Sequence, residues 1–171
     1  MNGELIFRVA TEEDVDSVVE IVRGAQERLR LTGTDQWQNG YPNRERIEAD
    51  VALGYGRVLS RGGRVVAYGA LCYDGEAAYD DLKGGAWLTF SGPYLTIHRL
   101  CVASAEVGRG LGREFMLRAE REAATKVASV RVDTHPRNTI MQGLIASLGY
   151  TYCGEVMYES PRLAYEKLLC D

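Results

Sequence analysis

The feature that most constrains the fold is a glycine-rich stretch joining a strand-like run to a helix-like run. The apolar segment 94–103 predicts a strand, residues 107–112 have the sequence Val-Gly-Arg-Gly-Leu-Gly, and the segment 110–127 predicts a helix. The first turn of a helix leaves backbone N–H groups unpaired and carries the positive end of the helix dipole. Glycines keep side chains away from these groups and permit unusual dihedral angles. The stretch therefore predicts a phosphate-binding turn.

Two common phosphate-binding loops do not fit this stretch. The dinucleotide pattern GxGxxG requires a glycine at position 113, where the chain has Arg113. The Walker pattern requires Gly-Lys-Ser or Gly-Lys-Thr after its first glycine, and the loop lacks it. What remains is x-x-x-G-x-G, which is also compatible with an ordinary helix start that uses glycine for tight packing. The sequence on either side of the loop is needed to distinguish a phosphate-binding turn from an ordinary helix start.

Hydrophobic periodicity and capping residues predict the element order β-α-α-β-β-β-α-β-α-β-β. The predicted strands cover 5–9, 57–60, 64–73, 94–103, 129–134, 150–158 and 162–169, and the helices cover 11–33, 43–54, 110–127 and 138–148. The segment 74–93 is predicted to be irregular. This order favours one α/β domain over residues 1–171, built as a single mixed sheet with helices on both faces.

Composition excludes several classes of protein. The chain has 171 residues, of which 46% are hydrophobic and 26% charged, as in soluble globular domains. No apolar run approaches the roughly 20 residues that a membrane span needs, and the first residues do not resemble a secretion signal. A net charge of −4 gives no general reason to bind nucleic acid or an anionic membrane. We expect a cytoplasmic protein without either partner.

The cysteines favour structural roles. Cys72, Cys101 and Cys153 lie in apolar strand-like runs, and Cys170 lies near the end of the chain. No CxxC pair occurs, and the sequence has only two histidines as further ligands. We therefore expect no metal site, and the absence of a disulfide pattern is typical of a reducing compartment.

The glycine loop and the segments beyond it resemble the GNAT superfamily of N-acetyltransferases, whose acetyl-CoA loop usually has the pattern [R/Q]-x-x-G-x-[G/A] after a strand. Residues 130–138 look like that family's fifth strand leading into its fourth helix, and residues 141–150 match the elements beyond. Short motifs at 37–42, 85–88, 97–99, 133–136 and 160–162 look like a bacterial subgroup whose substrates are unassigned. The resemblance covers nearly the whole chain. It implies a mostly antiparallel sheet with splayed central strands, the acyl-CoA N-acyltransferase fold.

The resemblance implies acetyl-CoA as cofactor, with CoA as product. The diphosphate cradle would comprise Val107, Gly108, Arg109, Gly110, Leu111, Gly112 and Arg113. Leu100, Cys101 and Val102 would lie beside the pantetheine arm as a group, because a bulge there leaves the register open, and a backbone N–H would stabilise the oxyanion. Asn138 matches a position that contacts the cofactor arm, and it is also a good helix cap.

The chain departs from the family pattern at two positions. Val107 replaces the usual Arg or Gln of the loop, and the alternatives are that Arg109 and Arg113 supply the missing positive charge or that both are solvated surface residues. The frequent general-acid tyrosine is replaced by Ile145. For the general base we select His98, since histidine titrates near neutral pH; the alternatives are a structural role for His98, or His135 as the base.

The family places the acceptor between the segment joining the first two helices and the final hairpin. Trp37 and Tyr41 in that segment, with Asp35, suit a cationic primary amine on a small molecule or peptide; alternatively, the two aromatics anchor the segment on the core. Tyr73, Asp80, Asp81 and Trp87 are weaker candidates for the opposite wall. A homodimer through exposed sheet edges is compatible with the pattern. The competing functions are a non-catalytic acyl-CoA-binding sensor on the same fold and a nucleotide-binding regulatory domain.

Overall fold

The computed structural model describes residues 3–170, which contain seven strands and four α-helices. The elements are β1 (Leu5–Val9), α1 (Val15–Leu31), α2 (Arg44–Ala52), β2 (Gly56–Arg61), β3 (Arg64–Cys72), β4 (Leu95–Val102), α3 (Leu111–Ala123), β5 (Ser129–Thr134), α4 (Thr139–Ser147), β6 (Thr151–Met157) and β7 (Pro161–Leu168). This is the predicted order. The single-domain prediction also includes Met1, Asn2 and Asp171, which lie outside the described residues.

The strands form one seven-stranded sheet in the order β1-β2-β3-β4-β5-β7-β6. The pairs β1–β2, β2–β3, β5–β7 and β6–β7 are antiparallel, and β4–β5 is parallel. Within residues 3–170, the β4–β5 register consists of Leu95 with Val130 and Thr96 with Arg131, at the starts of both strands. The predicted mixed, mostly antiparallel sheet with splayed central strands is confirmed.

By its internal contacts the chain divides into two compact units. Of the described residues, the first unit comprises 3–71 and 98–118, and the second comprises 72–97 and 119–170. The division falls within β4, between Ile97 and His98. The glycine loop, α1 and α2 therefore belong to the first unit, whereas β5, α4 and the β6–β7 hairpin belong to the second.

The core of the first unit lies under the apolar face of α1. Val18 and Val22, one helical turn apart, are almost fully buried and pack with Ile47 of α2 and Tyr68 of β3. Burying one such aliphatic side chain contributes about 1.5–3 kcal/mol. On α3, Phe115 is fully buried, and its ring forms an edge-to-face pair with Phe7 at 5.3 Å between ring centroids. These contacts fix the first turns of α3, where the glycine loop enters the helix.

The core of the second unit includes Tyr79, Val156 and Ala164. The segment between β3 and β4 packs closely on β6, since Lys83 and Glu155 exchange backbone hydrogen bonds of 2.8 Å. A side chain at Gly85 would place its Cβ 1.9 Å from the backbone oxygen of Cys153. The segment that we predicted to be irregular therefore contains only a short 3₁₀ turn (Ala77–Asp81) and is held by backbone contacts.

Capping residues set the starts of two helices as predicted. Asn43 caps α2 by accepting the Arg46 N–H at 2.9 Å, and Asn138 caps α4 by accepting the Met141 N–H at 3.2 Å. The predicted end of α3 at Val127 is wrong, because the helix ends at Ala123. The N–H groups of Lys126 and Val127 both bond to the Ala123 carbonyl, which closes a tight turn after the helix. Among residues 3–170 no helix combines the length and apolarity required to cross a membrane.

Candidate functional site

The glycine loop forms an open turn at the start of α3. The Glu114 N–H donates to the Gly110 carbonyl at 3.0 Å, so Gly110 occupies the capping position of the helix. Gly108 and Gly110 have φ of 83° and 77°, and a Cβ built on either would meet no atom within 4 Å. Both residues thus use a backbone conformation that favours glycine, and no neighbouring side chain covers them. The helix start that we predicted to bind phosphate is geometrically accessible.

Acidic and basic side chains hold the segment before this turn. Glu106 accepts from Arg61 at 3.4 Å and from Arg109 at 3.3 Å. The Arg109 side chain is nevertheless 60% exposed, and Val107 and Arg113 are also exposed. The loop therefore has two arginines at the surface, Arg109 and Arg113, and Arg109 forms an ion pair with Glu106.

Arg28 on α1 is a functional candidate that the sequence pattern did not indicate. Its guanidinium donates to the Ser104 hydroxyl at 2.6 Å and to the Val102 carbonyl at 2.9 Å. Both acceptors are neutral, and no carboxylate pairs with Arg28 among residues 3–170. The arrangement places an unneutralised positive charge at the end of β4, a few residues before the glycine loop. A helical arginine some 75 positions earlier in the chain gives no local signal of this contact.

The backbone of β4 is locally distorted at Arg99, directly before the predicted cofactor strand of Leu100, Cys101 and Val102. Arg99 has a φ of 58°, a left-handed conformation that costs a non-glycine residue about 1–3 kcal/mol. Burial raises the pKa of the Cys101 thiol to about 12, despite an opposing effect of Arg28. Cys101 therefore stays protonated and behaves as a small apolar residue.

A buried ion pair restrains the distorted residue. Arg99 donates to both oxygens of Asp50, at 2.8 Å from Nε and 2.7 Å from Nη2, and the Asp50 side chain is fully buried. The same carboxylate accepts from the Tyr68 hydroxyl at 2.6 Å and from Arg46 at 2.9 Å. Burial alone would lower the pKa of Arg99, but its bonds to Asp50 and Tyr41 raise it overall, so the guanidinium is charged. No local sequence signal indicates this pair, because Asp50 and Arg99 are 49 positions apart.

The two histidines lie in different units. His98, the predicted base, is half-buried on β4 beside Arg99 in the first unit. His135 in the second unit is buried, and its Nδ1 accepts the Arg137 N–H at 3.0 Å. Its carbonyl accepts from the Gln142 side chain at 3.3 Å. His135 thus organises the turn before α4.

The predicted cofactor residue Asn138 and the substituted position Ile145 also belong to the second unit. The Asn138 side-chain oxygen is engaged in capping α4. Ile145 is buried, with 1% of its surface exposed, and it has no group that can donate a proton.

The predicted acceptor segment is anchored in the first unit. Trp37, with a φ of 64°, packs against the core beneath α1. Tyr41 is 40% exposed, and its hydroxyl accepts from Nη1 of Arg99 at 2.9 Å. Its carbonyl accepts from the Gln26 side chain at 3.0 Å. Tyr41 thus lies at the surface and also contacts the residue that distorts β4.

Trp87, one of the weaker candidates for an acceptor wall, is engaged within the second unit. The Arg131 guanidinium lies 4.2 Å from the Trp87 ring centroid and 4.1 Å from that of Tyr94. The indole N–H donates to the Tyr79 carbonyl at 2.9 Å. Arg131 also bonds to the buried Glu166 at 3.1 Å, which balances its charge.

A cleft of about 250 Å³ lies between α1, the segment 40–43 and the start of α2. It is lined by Val19, Val22, Arg23, Gln26, Gly40, Pro42, Asn43, Arg44 and Ile47. Gly40 and Pro42 flank Tyr41 in the predicted acceptor segment, whereas the predicted cofactor residues and His98 do not line this cleft.

The cysteines form no disulfide within residues 3–170; Cys72, Cys101 and Cys153 are buried, and Cys170 is exposed. Over residues 3–170, no three His, Cys, Asp or Glu side chains are grouped so as to hold a metal ion.

The sequence matches the model of the acetyltransferase (GNAT) family over residues 22–150. The chain therefore belongs to the GNAT acetyltransferase family. Among solved structures, a GNAT family acetyltransferase from Streptococcus agalactiae is 35% identical, with a TM-score of 0.91 over 99% of this chain and 100% of that one. No curated protein matches the sequence significantly.

Two more distant structures contain the cofactor and share the fold. YncA from Salmonella typhimurium, solved with acetyl-CoA, is 21% identical, with a TM-score of 0.67 over 98% of this chain and 95% of that one. The PaiA N-acetyltransferase from Thermoplasma acidophilum, in complex with coenzyme A, is 13% identical, with a TM-score of 0.74 over 96% and 99% of the two chains. Family membership and these complexes support acetyl-CoA as the cofactor. The open turn at Gly108 and Gly110 fits such a group, because a diphosphate needs uncovered backbone amides.

Proposed function

We propose that the protein transfers an acetyl group from acetyl-CoA to a primary amine of a small molecule or peptide, by direct attack of the amine on the thioester. The new bond joins the amine nitrogen to the acetyl carbon, the carbon–sulfur bond breaks, the amine loses a proton and CoA leaves. The observation that carries the proposal is the uncovered turn at the start of α3.

The proposed cradle is the backbone of Val107–Arg113, with N–H groups directed at the diphosphate. Arg28 supports this proposal because its charge has no carboxylate partner among residues 3–170, and it lies at the end of β4. With Arg109, it offers the positive charge that Val107 does not provide. Asn138 is proposed to contact the cofactor arm in addition to capping α4.

The proposed oxyanion donor is a backbone N–H of Leu100, Cys101 or Val102. A strand that carries a local distortion can direct such a group away from its sheet neighbour, and the left-handed φ of Arg99 supports this. A preorganised donor of this kind is typically worth a factor of about 10²–10³ in kcat.

The acceptor must lose a proton before it can attack. An alkyl amine with a pKa near 10.4 is about 0.04% neutral at pH 7, a handicap of roughly 4.6 kcal/mol. We infer that His98 accepts this proton, directly or through water. Tyr41 supports binding of the amine at Trp37 and Tyr41, because it is 40% exposed and its hydroxyl is held by a hydrogen bond from Arg99. The departing thiol has an ordinary pKa of about 8.5, so the reaction does not need an acid at position 145.

The His98 assignment is tested with His98→Ala in a pH-rate profile. We expect kcat to fall by about 10²–10⁴, the usual contribution of a general base, and the acidic limb of the profile to disappear. Coenzyme binding should be unaffected, because the cradle is formed by other residues. An unchanged acidic limb would remove His98 from the mechanism.

The cofactor assignment is tested with Gly110→Asp, which adds bulk and negative charge to the cradle. Gly63→Asp is the matched control, because Gly63 has the same φ of 77° and equally open surroundings but lies in the β2–β3 turn. We expect calorimetry to detect CoA binding by the wild type and by Gly63→Asp, but not by Gly110→Asp. Equal affinity in all three proteins would show that the loop is not the cofactor site.

Thiol release in the presence of acetyl-CoA and a panel of amines then tests catalysis. Acceptor-dependent release supports the transferase. Tight CoA binding without turnover of any amine would favour the sensor function instead.

A further inference from the structure

We propose that Asp50 is a positioning residue for acyl transfer: it holds Arg99 in a left-handed backbone conformation and thereby sets the direction of the N–H groups that follow on β4. The proposal rests on the function inferred above, since it assigns a role to Leu100–Val102 at the thioester. Asp50 itself contacts neither the cofactor loop nor the predicted base in the described contacts.

The backbone of Arg99 adopts a conformation that glycine would adopt more easily. If the strand needed only a residue with φ near 58°, glycine would adopt that conformation without strain. The chain has an arginine there, and its side chain forms a fork of two hydrogen bonds to one carboxylate. A fork with two parallel bonds fixes orientation as well as distance. The side chain therefore determines which way the distorted residue faces.

The carboxylate is itself immobile. The Tyr68 hydroxyl, on β3, donates to Oδ2 of Asp50, and Arg46 donates to Oδ1. The Asp50 carbonyl accepts the Tyr55 N–H at 2.8 Å just beyond the end of α2. Because the Arg99 side chain is itself only 7% exposed, its movement away from Asp50 would leave the guanidinium charge unpaired in the interior. The network is thus a rigid support for one point on β4.

Arg99 also links this support to the proposed acceptor segment. Its Nη1 donates to the Tyr41 hydroxyl at 2.9 Å, while Nε and Nη2 remain on Asp50. The Arg99 side chain therefore contacts the proposed acceptor wall, and the Arg99 backbone directly precedes the proposed oxyanion donor. We conclude that Asp50 acts on the reaction through Arg99 and that its removal misdirects the donor.

The test measures polarisation of the thioester carbonyl, which requires no knowledge of the acceptor. Acetyl-CoA labelled with ¹³C at the carbonyl is bound to wild type, Asp50→Asn and Arg99→Gly, and the carbonyl stretch is recorded by infrared difference spectroscopy. We expect the wild type to shift the stretch to lower frequency and both variants to return it toward that of free acetyl-CoA. Affinity for CoA, which has no thioester carbonyl, should be retained.

Arg99→Gly keeps the left-handed conformation accessible but removes the two hydrogen bonds to Asp50. It therefore distinguishes the effect of those bonds from the effect of the backbone conformation. It also keeps the test valid if Asp50→Asn does not fold. Once an acceptor is known, kcat should fall about 10- to 100-fold in both variants, with KM for acetyl-CoA little changed, as expected for a misplaced donor.

Asp14→Asn is the matched control, because Arg8 also donates two hydrogen bonds to one carboxylate, from Nη1 and Nη2 to Asp14 at 2.7 and 2.9 Å, elsewhere in the first unit. It should weaken folding without changing the carbonyl stretch. A wild-type stretch in both Asp50→Asn and Arg99→Gly, or an equal loss in Asp14→Asn, would overturn the inference. Failure of the wild type to bind CoA would instead refute the proposed function.

Discussion

Replacing Glu166 by Gln tests whether the buried charge of this residue stabilises the second unit. The Glu166 side chain is fully buried on β7 and accepts from the Ser129 hydroxyl at 2.6 Å and from Nε of Arg131 at 3.1 Å. It also accepts from the Thr89 hydroxyl at 2.6 Å and from the Leu88 N–H at 2.6 Å. A glutamine preserves the volume but removes the charge that balances Arg131 and directs an amide N–H₂ toward donors.

Breaking one side of a buried pair typically costs about 3–5 kcal/mol. In a domain of this size each kcal/mol lowers Tm by roughly 2–4 °C, so we expect a decrease of roughly 6–20 °C. Thermal unfolding by circular dichroism measures this shift. Hydrogen exchange provides a local readout, because the amides of Leu88 and Thr89 donate to Glu166 and should lose protection.

Glu27→Gln is the control, since Glu27 pairs with Arg30 on the exposed side of α1. Its Tm should not change measurably, because exposed pairs contribute little. A loss below about 1 kcal/mol in Glu166→Gln, with the amides still protected, would show that the charge of Glu166 is not required by the segment it binds.

Two further predictions concern stability. Hydrogen bonds from Arg8 lower the pKa of Asp14. Burial raises the pKa of Glu166, but hydrogen bonds from Ser129, Thr89 and Arg131 outweigh it and leave that pKa below its ordinary value. A carboxyl group whose pKa is lower in the folded than in the unfolded state adds stability above about pH 4.5, and this stability is lost as the pH falls through the folded pKa. The urea midpoint of unfolding should therefore drop steeply below about pH 4. A urea midpoint that does not change below about pH 4 would contradict this. Gly85→Ala should cost at least about 3 kcal/mol, because its Cβ would meet a backbone oxygen at 1.9 Å. Gly84→Ala, with φ of 73° and open space, should cost only about 1–2 kcal/mol, and equal losses in the two variants would refute the predicted clash.

Local chemistry explains which parts of the fold were predictable. The strand 129–134 and the caps at Asn43 and Asn138 depend on residues within a few positions of one another, and the structure confirms them. The end of α3 was predicted four residues too late, because the apolar pattern continues through Val127 while the backbone has already turned after Ala123. A hydrophobic pattern reports which face is buried and gives less information about where hydrogen bonding stops.

In the candidate functional site, too, local features could be predicted from the sequence and long-range contacts could not. The glycine loop could be identified from sequence because glycine spacing at a helix start is a local signal. The pair of Asp50 with Arg99 could not, because its partners are 49 positions apart and an isolated acidic residue on a short helix normally indicates an exposed surface. Arg28 was missed for the same reason, since its acceptors Val102 and Ser104 lie 74 and 76 positions further along the chain.

The central claim is that backbone amides at the start of α3 bind the diphosphate of the coenzyme. Chemical-shift mapping tests it most directly: ¹⁵N–¹H spectra of the assigned protein are recorded while CoA is added. We predict that the largest shifts fall on the amides of Gly110, Leu111 and Gly112, with small changes in the β2–β3 turn around Gly63. Saturable CoA binding that leaves these three amides unmoved would contradict the claim.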